Sequence, residues 1–518
     1  MIRSTFSGFT MAQLALSASQ RAIDVAGQNL SNVNTSGYTR QRLDLTSINP
    51  IGASFSSSKF DNKVGQGVMM NGITQIRDPY LDIQYRNQIA KAGTADATDQ
   101  ILEKIGNIFD ETDSKGIRSA FNDIISQLTN IAQPSEAGEE SSDALVRSAC
   151  TVFLNAIHQN ATSIENMIKD VVDELQNSDI KNVNSCIQQI LELNTTIKNT
   201  QIMGNPALEL QDQRNQLLDD LATYLPIEVT YETEGTGSQA VDTLKVTFRD
   251  IAGNVHNLIS DNKGGEFQLG TAGEGIPVSL KIKDALTADN PSDPTNVNNI
   301  DVADLMSNGV LKGKIDMLNK SESFDGTDTK GIGYYSSMFD TFVNTFATLM
   351  NGMNATENGT VAHDLFSTSD GSDTFTAGNI KISDEWMNGT VTLTRTQNTG
   401  AGDTENSTDY SNILKMIHEL SNKDHDFAVF RGTMLSGYDN IQNTQAIERK
   451  ASSSILSNHI SVLNQISDSK DAVSGVNLDE EVMDMMRYQQ SYNAASRLMT
   501  TLDQLLDKLI NETGVVGR

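Results

Sequence analysis

The sequence predicts a multidomain, mainly α-helical protein with β insertions, built from paired terminal coiled-coil helices, a long-helix rod domain and β-rich outer domains. Three observations lead to this fold class. Both ends of the chain carry apolar residues at alternating steps of three and four, the spacing of a helix seam. Helical spacing also dominates the interior. Two interior stretches are instead rich in Gly, Ser, Thr and Asn and contain short alternating segments typical of strands.

The C-terminal seam lies between Leu478 and Leu509. The N-terminal helix has a matching pattern, with large residues at every seventh position and Thr5, Ala12, Ser19, Ala26 and Val33 between them. Because each apolar stripe needs a cover, we expect the two ends to pair. The predicted assembly interface comprises Ile2, Phe9, Leu16, Ile23, Leu30, Met485, Tyr488, Tyr492, Met499, Leu502, Leu506 and Leu509. Periodicity alone, however, favours the core of an ordinary helical bundle over a polymer interface.

The N-terminal helix is predicted to end in a turn at residues 29–38, where Asn and Ser favour local hydrogen bonds and Gly37 can adopt a left-handed conformation. Residues 40–76 alternate more than they coil and are predicted to be extended chain with irregular strands. A helix is expected after Asp78, because Asp is a favoured N-cap and Pro79 suits the first helical position, where its missing N–H donor costs nothing.

The next helical region contains an unusually long stripe. Apolar residues run from Leu154 to Leu175 in steps of three and four, and the stripe resumes at Ile180 after a step of five. That step predicts a change of register or a short break. The segment could reach about 80 Å at 1.5 Å per residue, which would make it a rod. A turn at residues 204–206 then leads into a helix that ends before Pro226.

Beyond Pro226 the composition changes to glycine-separated alternating segments, which indicates a β insertion. Helical spacing returns around residues 305–318 and 334–353. A second insertion is predicted to hold two short strands, at residues 380–382 and 391–393. The predicted domains are paired terminal helices at residues 1–48 and 476–518, an elongated helical rod domain at 49–225, 305–353 and 411–475, a β-rich insertion at 226–304, and a second one at 354–410.

The charge of the chain argues against nucleic acid as a partner. Its 38 Lys and Arg stand against 67 Asp and Glu, a formal net charge of −29 at pH 7, and no basic patch offers a site for a phosphate backbone. Cys150 and Cys186 are predicted to be buried or half-buried structural thiols. Neither a membrane span nor a cleaved secretory signal is visible in the sequence. On these rules alone the protein would be cytoplasmic.

Motifs that imitate catalytic or cofactor sites are incomplete. Residues 235–240 resemble a dinucleotide loop but precede strand pattern rather than a helix. His418 could begin a zinc-protease motif, but Asn422 stands where the second His is required. The acidic turns at 325–328 and 370–373 lack the spacing of a calcium loop. We therefore predict no enzyme, catalytic residue, cofactor or metal, and we explain the acidic residues Asp479, Glu480 and Glu481 by the dipole at a helix N-terminus.

Three further stretches carry a family resemblance. Residues 77–86 read RDPYLDIQYR, residues 212–219 read DQRNQLLD, and residues 474–481 read SGVNLDEE. With the two seams and the turn at 29–38, they resemble the axial proteins of the bacterial flagellum, and among these the hook-associated proteins of the hook–filament junction. The resemblance changes the preferred interpretation of the seams from bundle core to polymer interface.

The resemblance implies a structural role. Such subunits assemble as a ring at the distal end of the hook through terminal helices that line an inner tube, and with a second junction protein they join the hook to the filament. The implied partners are further copies of the chain, the hook protein, the second hook–filament junction protein and a flagellar export chaperone, with no nucleic acid and no membrane. Export by the flagellar type III pathway without a cleaved signal is also implied, and an extracellular location then replaces the cytoplasmic one.

The resemblance also implies a chaperone site on the C-terminal amphipathic helix. Carried over to this chain, the chaperone-binding residues are Met485, Tyr488, Tyr492, Met499, Leu502 and Leu506. These residues belong to the predicted assembly interface as well, so chaperone and assembly are expected to compete for them.

Two alternatives stay open. Within the same class, the chain could be the second junction protein or a flagellin-like filament subunit, although its length, its two β insertions and the match at 212–219 favour the first interpretation. From a different class, it could be a secreted adhesin or enzyme that acts through the β insertions.

Overall fold

The computed structural model describes residues 5–48, 67–111, 116–132, 139–234, 241–271, 278–285, 300–319, 330–354, 363–396, 409–427 and 431–511. The predicted interface residue Ile2 lies outside these ranges, as do the glycine-rich loop at 235–240 and the acidic turn at 325–328. Within them the protein is mainly α-helical with β insertions, as the sequence predicts.

The helices of the described residues occur in the following order along the chain. They are α1 (Thr5–Ser31), α2 (Pro79–Phe109), α3 (Ile117–Ile131), α4 (Glu139–Glu174), α5 (Ile180–Ile202), α6 (Leu208–Tyr224), α7 (Val310–Asn319), α8 (Ile332–Asn354), α9 (Asp384–Met387), α10 (Ser411–Leu420), α11 (Met434–Ser474) and α12 (Leu478–Asn511). A π-helical segment (Leu175–Asp179) joins α4 to α5 without a break.

The described strands are β1 (Gln41–Ser47), β2 (Val68–Gln75), β3 (Glu228–Glu234), β4 (Val241–Arg249), β5 (Val255–Ser260), β6 (Lys263–Gly264), β7 (Glu266–Thr271), β8 (Val278–Lys283), β9 (Ile300–Asp301), β10 (Phe366–Thr368), β11 (Ile380–Ile382), β12 (His425–Asp426) and β13 (Arg431–Gly432). All pair antiparallel with their sequence neighbours. They form sheets β3-β4-β5-β6 and β7-β8-β9 and three two-stranded ribbons, β1-β2, β10-β11 and β12-β13.

Local sequence signals explain several helix ends. The Asp78 carboxylate caps α2 by accepting a hydrogen bond of 2.9 Å from the Tyr80 N–H, and Pro79 takes the first helical position, as predicted. Gly37 has a φ of +76°, which confirms the left-handed turn after α1. Helix α6 ends at Tyr224, before Pro226.

The main hydrophobic core lies in the part of the chain from α2 to α11, which we call the body, and does not extend into the terminal helices. Its buried residues come from α2 to α11 and from the sheets of both β-rich regions, and no described residue of α1 or α12 belongs to it. Aromatic rings form its centre, with Phe109 and Phe339 edge to face at 5.6 Å and Phe153 and Phe346 at 4.8 Å between centroids. Cys150 is buried and Cys186 is half-buried, and both are free thiols, as expected.

The predicted strand at residues 391–393 is wrong. Val391 and Leu393 are buried, as their apolar character suggests, but side chains bind the neighbouring backbone groups. The Leu393 N–H donates to the buried Asp143 carboxylate at 3.1 Å, and the Thr394 N–H donates to the side-chain oxygen of Asn354 at 2.7 Å. The strand at 380–382 is confirmed as β11, and its partner β10 was not foreseen.

The helix predicted to return near residue 305 begins only at Val310. Residues 303–305 form a turn, and Gly309 precedes the helix with a φ of +112°. A side chain at Gly309 would collide with the body, because its Cβ would lie 2.2 Å from the carbonyl oxygen of Tyr224. The glycine therefore lets the chain pass closely over the end of α6 before α7 starts.

Candidate assembly interface and arm–body junction

The two ends of the chain pair as antiparallel helices. Among the described elements, α1 and α12 share the most extensive helix–helix contact. Gly8, near the start of α1, faces Leu502 in the second half of α12, and Asn29, near the end of α1, binds Glu481 at the start of α12. We call these two helices the terminal pair.

Small side chains of α1 form the buried side of the terminal pair. They are Ala12, Ala18, Ser19, Ala22, Val25 and Ala26. The large predicted residues Phe9, Leu16, Ile23 and Leu30 are only half-buried. The most deeply buried residues of α1 are therefore short ones that lie between the large ones, and short side chains let helix axes approach closely.

On α12, the seam predicted from periodicity does face α1. Ala495 is buried, Leu509 is 57% exposed, and the remaining seam residues are half-buried. These are Met485, Tyr488, Tyr492, Met499, Leu502 and Leu506. The monomer therefore covers this face only in part.

A second apolar stripe on α12 lies beside the seam. Leu498 and Leu505 are 47% and 61% exposed, and Leu509 continues their line. At about 100° per residue, the three side chains point within about 40° of one another. The outward face of α1 is polar by contrast, with Gln13 and Gln20 exposed.

The terminal pair meets the body at a polar junction centred on Asn29. This side chain is 1% exposed. Its amide nitrogen donates to Glu481 Oε2 at 3.1 Å and to the Gln41 carbonyl at 2.9 Å, and its oxygen accepts from the Tyr38 hydroxyl at 2.9 Å. One amide therefore ties the end of α1 to the turn, to β1 and to α12.

Arg40 binds the start of α12. Its Nε lies 2.6 Å from Glu481 and its Nη1 lies 2.9 Å from Glu480, and its backbone N–H donates to the Ser474 carbonyl at 2.8 Å. Partial burial works to lower the pKa of Arg40, but the charges and hydrogen bonds of Glu481 and Glu480 outweigh it and raise that pKa. Glu481 is 3% exposed, so a buried ion pair closes the turn between α11 and α12.

The N-terminal arm, which comprises α1, the turn after it and β1, also contacts the first two turns of α6; α12 is the C-terminal arm. Asp212 accepts hydrogen bonds from the Thr39 N–H at 3.1 Å and the Thr39 hydroxyl at 2.7 Å, and Glu209 accepts from the Gln41 side chain at 3.2 Å. Burial raises the pKa of Asp212 above its ordinary value, although the Thr39 hydrogen bonds oppose that rise.

Ion pairs on the other face of α6 connect this helix to the body. Asp219 accepts from Arg86 and from Lys470, both at 2.7 Å. Lys470 also lies 3.4 Å from Asp82 and sits over the Tyr85 ring, 4.6 Å from its centroid. Helix α6 is thus a two-sided connector between the arm and the helices α2 and α11.

The stretches that carried the family resemblance therefore meet in space. The turn at 29–38 and residues 77–86, 212–219 and 474–481 each supply side chains to this junction. The sequence did not reveal Arg40 or Lys470 as members. The signal available in the sequence was that Arg40 closely follows the motif at 29–38 and that Lys470 closely precedes the motif at 474–481.

A polar cleft of about 930 Å³ lies within the junction, lined by residues that include Asn34, Gln216 and Asp471. In the part of the chain that the structure describes, no group of three or more His, Cys, Asp or Glu is arranged to hold a metal ion. Over the same residues, none of the helices has the length and apolar character required to span a membrane.

Comparison with protein families identifies the body and both arms. The family described as flagellar hook-associated protein FlgK helical domain matches residues 102–366, just over half of the chain. The flagellar basal body rod FlgEFG protein C-terminal family matches residues 472–512, and the flagella basal body rod protein family matches residues 9–39. The two shorter matches cover most of the terminal pair.

Two proteins that align with nearly the whole chain are both named flagellar hook-associated protein 1. Flagellar hook-associated protein 1 of Bacillus subtilis (strain 168) is 29% identical over 532 residues, covering 99% of this chain and 100% of that protein. The Escherichia coli (strain K12) protein of that name is 24% identical, and the alignment covers 96% of this chain and 98% of that protein. A solved structure, the flagellar hook junction protein FlgK from Burkholderia pseudomallei, superposes with a TM-score of 0.41 at 15% sequence identity. The superposition covers 57% of this chain and 46% of that chain.

The first family match covers residues 102–366 of the body, and the relatives align with nearly the whole chain, including both arms. The match to the first family is long enough to assign membership by itself. The chain therefore belongs to the flagellar hook-associated protein FlgK family, whose members are structural subunits of the junction between the flagellar hook and filament.

Proposed function

We propose that this chain forms a ring of copies at the distal end of the hook, and that its terminal pair makes the contacts between neighbouring copies. The chain has the family of a flagellar structural subunit, and the body has a core of its own to which α1 and α12 do not contribute. A pair of helices that the folded body does not need is available for assembly.

The observation that carries this proposal is the exposed apolar surface of α12. Leu498, Leu505 and Leu509 form one stripe beside a seam that α1 covers only in part. Contiguous exposed apolar surface on a water-soluble chain marks an interaction site. Heptad spacing is the pattern that another helix would cover.

The proposed partners are the hook protein, the second hook–filament junction protein and an export chaperone, with export by the flagellar type III pathway without a cleaved signal. The chaperone site would be Met485, Tyr488, Tyr492, Met499, Leu502 and Leu506. Because these side chains face α1 in the folded chain, the chaperone would bind before α1 docks. Chaperone and terminal pair then exclude each other, and a chaperone that stays bound in the finished junction would contradict this order.

Purified protein incubated with isolated hooks tests the assembly role. Replacing both Leu498 and Leu505 by Gln keeps helix propensity nearly unchanged but removes the apolar stripe. Each buried Leu contributes about 1.5–3 kcal/mol, so hook binding should weaken at least about tenfold. Ile447→Gln is the matched control, because Ile447 is 70% exposed on α11, away from the arms.

Removal of residues 478–518 should abolish hook binding, while the fluorescence of the single tryptophan, Trp386, reports that the body remains folded. Hook binding that is unaltered by this truncation, or lost equally with Ile447→Gln, would exclude the terminal pair as the assembly interface.

A further inference from the structure

The long helix from α4 through α5 serves two structural units. Its first half packs against α3, α8 and β11 of the body. Its second half packs against α6 and against strands β4 to β7. Asn184 fixes that second contact, since its side chain both donates to the Phe267 carbonyl and accepts from the Phe267 N–H at 2.9 Å. The change of partner falls at the π-helical segment.

The π-helical segment corrects the phase of the apolar stripe. Leu175 and Ile180 are both buried and are five residues apart. At about 100° per residue, an α-helix would turn them about 140° away from each other. The wider π turn absorbs the extra residue, so that the buried residues before and after it stay on one face. This explains the step of five in the sequence.

The same geometry brings two carboxylates together. Glu174 and Asp179 are also five residues apart, and a continuous α-helix would direct them to different sides. Both instead bind Lys314 of α7, whose Nζ lies 3.2 Å from Glu174 Oε2 and 2.7 Å from Asp179 Oδ2. Lys104 of α2 binds the other Glu174 oxygen at 3.2 Å.

Lys314 is an unusual residue for its position. It is 9% exposed, and its neighbours on α7, Leu311, Ile315 and Leu318, are fully buried apolar side chains. A buried cation is costly unless it is paired. Partial burial works to raise the pKa of Glu174, but hydrogen bonds from Lys104 and Lys314 outweigh it and hold that pKa below its ordinary value. The charged group of Lys314 therefore binds two carboxylates at once, which an apolar residue at the same position could not do.

We propose that the π-helical segment is a charge-clamped joint, in which Lys314 binds Glu174 and Asp179 and thereby fixes the β-rich sheets on α5 relative to the helical body. The joint acts on the orientation of these sheets relative to the helical body. It is independent of the terminal pair and of assembly at the hook.

Amide hydrogen exchange on the full chain tests the clamp. Lys314→Met keeps an unbranched side chain that is one atom shorter and removes its charge. Residues 175–180 should then exchange roughly tenfold faster or more, because the π turn loses its fixed partners. Lys104→Met is the control, since Lys104 is 41% exposed and, within the described part of the chain, pairs with Glu174 and not with Asp179. This variant should leave the segment unchanged. Equal exchange in the parent and Lys314→Met, or equal acceleration by both variants, would overturn the proposal.

If Lys314→Met does not fold, two single-residue deletions test the proposed geometry instead. Deleting the exposed Asn177 makes the helix regular and places Glu174 and Asp179 four residues apart, still on one face. That variant should keep its melting temperature and its clamp. Deleting the exposed Gln188 in α5 shifts buried residues out of phase and should lower the melting temperature. Equal losses from the two deletions would contradict the proposed geometry.

Discussion

Glu481 and Asn29 lie 452 positions apart in the chain and share a hydrogen bond of 3.1 Å between Oε2 and Nδ2. Both side chains are almost fully buried. Arg40 binds the other oxygen of the same carboxylate. The two ends of the protein are thus joined to each other, and to the body, through one buried acid.

Replacing Glu481 by Ala should loosen the arm. Asn29 and Arg40 each lose one acceptor, although Asn29 keeps the Gln41 carbonyl and Arg40 keeps Glu480. Removing one partner of a buried ion pair costs about 3–5 kcal/mol. Because the Arg40 side chain is 21% exposed, we expect about 2–3 kcal/mol after solvent screening. Faster amide exchange of residues 29–41 would measure this loss.

Asp479→Ala controls for the helix dipole. Asp479 is an exposed acid in the same first turn of α12, and either acid at a helix N-terminus contributes about 0.3–1 kcal/mol. The difference between the two variants isolates the buried pair. If Asp479→Ala loosened residues 29–41 as much as Glu481→Ala, the dipole alone would explain Glu481.

Acid should weaken the junction through Asp82. Burial works to raise the pKa of Asp82, but the hydrogen bond and charge of Arg77, with the charges of Lys470 and Arg86, outweigh it and hold that pKa below its ordinary value of 3.8. The unfolded chain therefore takes up the proton first as pH falls below 3.8, and stability is lost down to the lower folded pKa.

Urea unfolding of the parent and of Asp82→Asn between about pH 6 and about pH 3 checks this sign. The free energy of unfolding of the parent should fall more steeply with acid, because the variant has no carboxylate to protonate at that position. Parallel pH profiles would show that Asp82 is not held ionised by its partners.

The terminal pair should be less stable than the body in the free chain. Its large side chains are half-exposed, and none of its described residues belongs to the main core. Segments with few buried apolar contacts open locally at low free energy. In purified monomer, amides of α1 and α12 should exchange faster than those of α8, whose buried face includes Phe342 and Phe346. Equal protection of the three helices would show that the terminal pair is as stable as the body in the free chain.

Gly309→Ala should destabilise the body. The φ of +112° disfavours a side chain, and its Cβ would meet backbone of Tyr224. We expect a loss of about 1–3 kcal/mol, seen as a lower melting temperature. Gly378→Ala is the control, because no atom lies within 4 Å of its added Cβ and its φ is not in the left-handed region. A similar effect of both substitutions would show that Gly309 has no special role.

Periodicity predicted much of the fold because long helices repeat their burial pattern many times. The α12 seam, the long stripe and even the irregular step at residue 175 follow from spacing alone, since a step of five cannot continue a stripe in a regular α-helix. The cap of α2 and the turn at Gly37 follow from local chemistry. The strand expected at 391–393 did not form, because its backbone partners, Asp143 and Asn354, are distant in sequence.

The junction shows what spacing cannot reveal. Asp212 and Asp219 lie on one short helix but face different partners, Thr39 in the arm and Arg86 and Lys470 in the body. Charge alone does not indicate such pairings. On α1, the sequence pattern points to Phe9 and Leu16, whereas Ala12 and its small neighbours are the more deeply buried residues. The burial of a helix face depends on the shape of its partner, which spacing does not reveal.

The central claim, that this chain joins the hook to the filament, is tested most directly by deleting its gene and examining the cells by electron microscopy. We predict cells with hooks but no filaments, and recovery of filaments with the parent gene but not with the Leu498→Gln, Leu505→Gln variant. Deletion cells that still carry filaments on their hooks would contradict the claim.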